Sequence, residues 1–268
     1  MKLVALVRAP ERIEDAAVAL SRATGLTLAE CRMRLSPEPP ALLARLEPDA
    51  ADSLVAALRK TDLAVLAIDA DVPGDADRTL ARRVDFGAER ITFTARFGDA
   101  MQVAWSDVLA VLRGSRESRS EVERTEKSRT ISLGRAITTG GLSMTRTSTK
   151  TVHSSEMSFQ HVILVYARDG RAAALVEGHV DFSCLGVGLQ PSSTANMNEL
   201  SRRLREQAKS AFHDDRLLRL GRRPLPFVAG GETRSATSAM VVTRRDTAAS
   251  LDVLAEVMRQ AVAQRLLP

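Results

Sequence analysis

Ala23-Thr24-Gly25-Leu26-Thr27-Leu28-Ala29-Glu30 is the stretch whose reading decides how the first quarter of the chain folds. Upstream, Ile13, Ala16, Ala17, Leu20 and Ala23 recur at helical spacing, so Gly25 falls just past a helix C-terminus, where glycine is favoured. Downstream, Thr27 and Glu30 form a capping box, each side chain satisfying a free backbone amide of the next helix. Leu28, Cys31 and Leu35 give that helix its apolar stripe, and Pro37, Pro39 and Pro40 stop it. Working outward, residues 2–7 are apolar enough for a buried strand, and Pro10 suits a helix entry. Residues 41–46 read as a short strand. Asp49 is expected to cap a third helix over 50–60, with Leu54, Val55 and Leu58 inward, and 63–68 closes the module as a strand.

The order strand, helix, helix, strand, helix, strand, together with Ala-Thr-Gly-Leu followed by Leu-x-Glu, resembles the C-terminal domain of the bacterial ribosomal stalk protein. The same fold underlies the adaptor that delivers substrates to a bacterial AAA+ protease. The resemblance covers residues 2–70 and implies a small open-sheet module that docks a protein partner. In the stalk family, basic residues on the first two helices hold translation factors. The matching positions here are Val18, Ser21, Ala29 and Arg32, of which only Arg32 is basic. The resemblance therefore implies a shared fold with a changed partner, bound through a groove near Val18, Ser21, Arg22, Leu26 and Arg32.

After the turn-forming 71–75 the period changes to two. Residues 84–87, 90–97, 101–105 and 108–113 read as half-buried strands. Strands at 159–167 and 172–182 follow, joined at Asp169-Gly170, a hairpin signal. A helix capped by Asn196 or Asn198 then presents Arg202, Arg203, Arg205 and Lys209 outward. Meandering strands closed by one helix resemble the pleckstrin-homology type of small barrel. The expected class is α+β: a stalk-like module (1–72), a mostly antiparallel barrel or sandwich (76–222) with a long insertion at 114–158, and a tail (223–268). The tail ends in an amphipathic helix with the stripe Leu251, Leu254, Val257, Met258, Ala261 and Leu266, expected to pack on its own domain or on a twin subunit.

Charge is uneven. Residues 1–72 hold 9 basic and 11 acidic side chains, while the whole chain is +5, leaving +7 for residues 73–268. Residues 127–155 contain no acid, are rich in serine and threonine, and carry Lys127, Arg129, Arg135, Arg146 and Lys150. Such a loop suits phosphates, anionic lipid, nucleic acid or an acidic protein, and its hydroxyls are possible phosphorylation sites.

Chemistry-bearing patterns are missing from the sequence. No two of His153, His161, His179 and His213 have metal-ligand spacing, and there is no nucleophile elbow or dinucleotide fingerprint. His161 and His179 are expected to face each other across the hairpin as ordinary strand residues. Cys31 and Cys184 read as buried, reduced thiols of an intracellular, cytoplasmic protein, and no apolar run approaches membrane-span length. One tryptophan and one tyrosine argue against base-stacking platforms. The reading is a non-enzymatic interaction or adaptor protein with no cofactor, metal or small-molecule substrate, its partner bound through the groove above and through Arg129, Arg135, Arg146 and Lys150. The alternatives are an anionic membrane-surface or nucleic-acid binder, or a translation-associated protein.

Overall fold

Among the described residues, two sheets and six α-helices make this an α+β chain. The computed structural model describes residues 1–131, 145–228, 231–237 and 240–267, with side chains throughout except at 125–131, 145–150, 152, 153, 231, 232, 240 and 244. Its contacts define two units. The larger joins Met1–Glu117, Phe159–Gly230 and Thr247–Pro268; the smaller joins Ser118–Ser158 and Gly231–Asp246.

In the larger unit the first sheet holds β1 (Lys2–Leu6) between β2 (Ala41–Leu46) and β3 (Val65–Asp69), antiparallel to both. Helices α1 (Ile13–Thr24), α2 (Leu28–Leu35) and α3 (Pro48–Arg59) cover one face, enclosing Val4, Leu6, Leu20, Cys31, Leu43, Leu54 and Leu58. The local signals act as expected. Gly25 adopts φ 72° and its amide donates to the Ser21 carbonyl at 2.8 Å. The Thr27 and Glu30 amides receive their reciprocal caps at 2.9 and 3.3 Å. One expectation fails: α3 is capped at Glu47 with Pro48 in its first turn, so Asp49 lies inside the helix. Proline suits that place because its missing N–H would have had no partner there.

The second sheet of this unit runs β6 (Met101–Ala104), β5 (Arg90–Ala95), β4 (Thr79–Phe86), β9 (Ala172–Val176), β8 (Thr145–Ala167), β7 (Val108–Ile131) and β10 (Phe212–Asp214). Pairing is mostly antiparallel, with parallel contacts at β4–β9 and β10–β7. Gly170 at φ 91° turns the β8–β9 hairpin, as Asp169-Gly170 promised. The following strand ends at Val176, well short of 182, and Phe182–Gly188 is a 3-10 segment. Helix α4 (Ser193–Gln207) is capped by Ser192, whose side chain accepts from the Ala195 amide. Asn196 and Asn198, the two expected caps, lie inside the helix, and Asn196 instead binds the amide and carbonyl of Gln190 at 2.7 and 3.0 Å.

Helix α6 (Ala248–Ala263) explains why the β1 residues are apolar on both faces. Val253, Val257 and Ala261 seal the second face of the first sheet against Leu3, Ala5, Leu66 and Ile68. Leu251, Leu254 and Met258 pack on the second sheet against Leu112, Leu164 and Val176, beside α5 (Leu217–Leu220). The helix expected to carry one apolar stripe is thus buried between two sheets. Arg78, its side chain 2% exposed, bonds Asp252 of α6 and the Pro73 carbonyl, tying the inter-module turn to the same helix.

The smaller unit corrects the expected insertion and tail. Residues 114–131 continue β7 and 145–158 continue β8, so this part of 114–158 is strand and not loop. Residues 231–246, expected as irregular tail, contain the antiparallel hairpin β11 (Gly231–Ala236) and β12 (Met240–Asp246). β12 pairs with β7 from Met240↔Arg124 to Asp246↔Ser118.

Candidate functional site

A groove of about 590 Å³ opens on the helical side of the first sheet, between the α1–α2 turn, the end of β2, the outer face of α3 and Phe227. That volume lies within the range of ligand clefts. The α1–α2 turn is fixed locally. Ser21 Oγ donates to the Leu26 carbonyl at 2.6 Å, and Thr24 Oγ1 to the Leu20 carbonyl at 2.7 Å. These bonds hold Ala23, Thr24 and Leu26 along one wall. Ala50, Ser53 and Ala57 share one face of α3 by their three- and four-residue spacing and form the other wall, over Leu54. Exposed positions of a helix ordinarily carry charge, so small uncharged side chains here leave an accessible apolar trough.

Phe227 closes one end. Its φ of 68° lies in the left-handed region, which costs a bulky residue about 1–3 kcal/mol. Two arginines compensate. An Arg45 Nη atom donates to the Phe227 carbonyl at 3.3 Å, and the Arg34 guanidinium lies 5.5 Å from the ring centroid. Arg34 also donates to the Leu43 carbonyl of β2. Among the described residues they are the only charged ones lining the groove, and neither makes an ion pair.

Of the residues expected to bind a partner, Leu26 alone lines this groove. Val18, Arg22 and Arg32 are exposed on α1 and α2, Ser21 acts through the turn, and Arg32 is paired with Glu14 across the two helices. Arg129, Arg146 and Lys150 fall on strand backbone but their side chains lie outside the described residues, as does Arg135 altogether. The expected basic face of α4 is largely compensated: Arg202 binds Glu199 and Glu206, Arg203 binds Glu199, and Arg205 meets Asp215. Sequence reading missed Phe227 and the two arginines because their convergence spans more than 180 positions.

A second polar cluster has a structural role. His161 does not face His179; its Nδ1 is 2.6 Å from Glu177 Oε2, while Ser193 and Thr194 donate to Oε1 at 2.6 and 2.8 Å. Burial pushes the Glu177 carboxyl up, but the bonds from Ser193, His161 and Thr194 outweigh it and hold the group at about 2. The cluster clamps the start of α4 to the β8–β9 hairpin. Its stabilisation is full above the ordinary carboxylate value of 4.5 and fades as pH falls from there toward about 2. Glu177→Gln is expected to cost about 1–3 kcal/mol at pH 7, and the gap from the native chain should narrow at pH 3 in urea denaturation.

Cys31 and Cys184 are unpaired, and burial pushes both thiols up. Among the described residues no three side chains group as metal ligands, and no helix is long and apolar enough to cross a membrane. No family model, curated protein or solved structure matches the chain.

Proposed function

We propose that this chain is a non-catalytic adaptor that seats a segment of a partner protein in the groove of its first module. The observation carrying this reading is an accessible apolar trough built on rigid elements: a capped turn, a sheet strand and the outer face of α3. Preformed walls lower the ordering cost of binding, and apolar side chains entering them supply the affinity. The other face of the module's sheet is already sealed by α6, which leaves the helical side open to other molecules. The element order shared with stalk-type and protease-adaptor modules supports the reading by analogy.

Photo-crosslinking tests it. A benzophenone side chain installed at Ala57 of the intact chain, irradiated in living cells, is expected to give one dominant protein adduct. The same group at Lys60, beyond the trough, should not give it. Identical adducts from both positions would reject the groove.

A further inference from the structure

Resting on that adaptor reading, we infer that the segment docked in the groove is acidic as well as apolar: aliphatic or aromatic side chains in the trough, with carboxylates on Arg34 and Arg45. The inference comes from charge complementarity at the rim. The groove is lined by Leu26, Leu46, Leu54 and small residues, and its two charged side chains have the same sign. Each of these arginines is held in place by a backbone carbonyl, Leu43 for Arg34 and Phe227 for Arg45. A guanidinium has five N–H donors, and these single bonds leave most of them for an incoming acceptor.

Among the described residues no acid of the module bonds either arginine directly, although the Arg34 charge reaches Glu30 one turn before it and Asp71 lines the neighbouring cavity beside Arg45. Glu30 accepts from the Thr27 amide and hydroxyl in the capping box, and Asp52 is bound by Lys2. Glu14 and Asp15 are paired with Arg32 and Arg12. Glu47 and Asp49 are exposed at the start of α3, outside the groove lining. The first module is therefore acidic in total yet presents two arginines, fixed beside apolar surface, where a partner would enter. Fixed donors flanking an apolar surface favour a carboxylate-bearing ligand, because a guanidinium–carboxylate bond is charge-assisted and can be bidentate. A basic segment meets repulsion at the same rim, which provides discrimination as well as attraction.

The test uses the intact chain and two fluorescein-labelled peptides. They share leucine and phenylalanine positions but carry three aspartates in one and three lysines in the other. Fluorescence anisotropy at low salt is expected to show the acidic peptide binding at least about tenfold more tightly. That preference should shrink as ionic strength rises and the rim charges are screened. Arg45→Glu, an exposed substitution, should abolish or reverse it. Equal binding of both peptides, or a preference unaffected by Arg45→Glu, overturns the acidic inference. If both peptides bind equally and Ala57→Arg removes both, the groove reading survives while the inference about charge fails. If neither binds a chain that circular dichroism shows to be folded, the inference is also overturned.

Discussion

Val257→Asp is expected to abolish folding of both sheets of the larger unit. Val257 is fully buried in α6, against the face of the first sheet formed by Leu3, Ala5, Leu66 and Ile68. An aspartate there places a charge in an apolar layer. Its apolar neighbours on α6, Val253, Leu254, Met258 and Ala261, give it no donor, and the amide of Gln260 is already engaged with Glu256. The carboxyl must bury unpaired charge or take up a proton, and either costs several kcal/mol, comparable with the whole stability of a typical domain. Because α6 also fills the second sheet's face through Leu251, Leu254 and Met258, the loss propagates to both. The readout is circular dichroism with heating: the variant should show no cooperative transition. Loss confined to one sheet, seen as protected amides remaining in the other by hydrogen exchange, would refute the shared-core role of α6.

Among the described glycines, Gly221→Ala is expected to be the most damaging single-methyl addition. A Cβ at Gly221 would lie 2.7 Å from the Ser115 carbonyl oxygen, 2.8 Å from that of Leu217 and 2.8 Å from Leu251 Cδ1. Two of the three obstacles are backbone, so β7 and α5 would have to separate. Gly114→Ala provides the comparison. Its Cβ would meet Leu251 Cδ1 at 2.5 Å, the end of a side chain that can change rotamer, and the Leu217 Cβ only at 3.4 Å. Overpacking of this kind costs about 1–3 kcal/mol, and Gly221→Ala should lie at or above the upper end. Guanidinium denaturation should rank Gly221→Ala as the less stable of the two; the reverse order would contradict the close approach of β7, α5 and α6.

The first module was legible because its signals are local. Gly25, Thr27 and Glu30 act within one turn of where they stand, and the apolar run of β1 is visible in five residues. The apolar stripe of α6 was also legible, but not that it faces two sheets, since nothing near Val257 names Leu3 or Ile68 as its neighbour. Hairpin β11–β12 was missed for a different reason. Its glycine, serine, threonine and arginine residues resemble a loop, and its strand character comes from pairing with residues 118–124, more than a hundred positions away. The same limit explains the site. Leu26 could be found because the turn containing it carries a sequence signal. Phe227 could not, because its conformation depends on Arg34 and Arg45, which the fold alone brings to it.

On the proposed function a partner sits in the trough between Leu26, Ala57 and Phe227. The most direct test is the dissociation constant of the protein crosslinked from position 57, measured by calorimetry with the native chain and with Ala57→Arg. The exposed position tolerates the arginine, and its side chain fills the trough with bulk and charge. Binding to the native chain and a loss of about a hundredfold or more in the variant, about 2.7 kcal/mol or more, is the expected result. Equal affinity for the two chains would place the partner elsewhere on the molecule and contradict the groove.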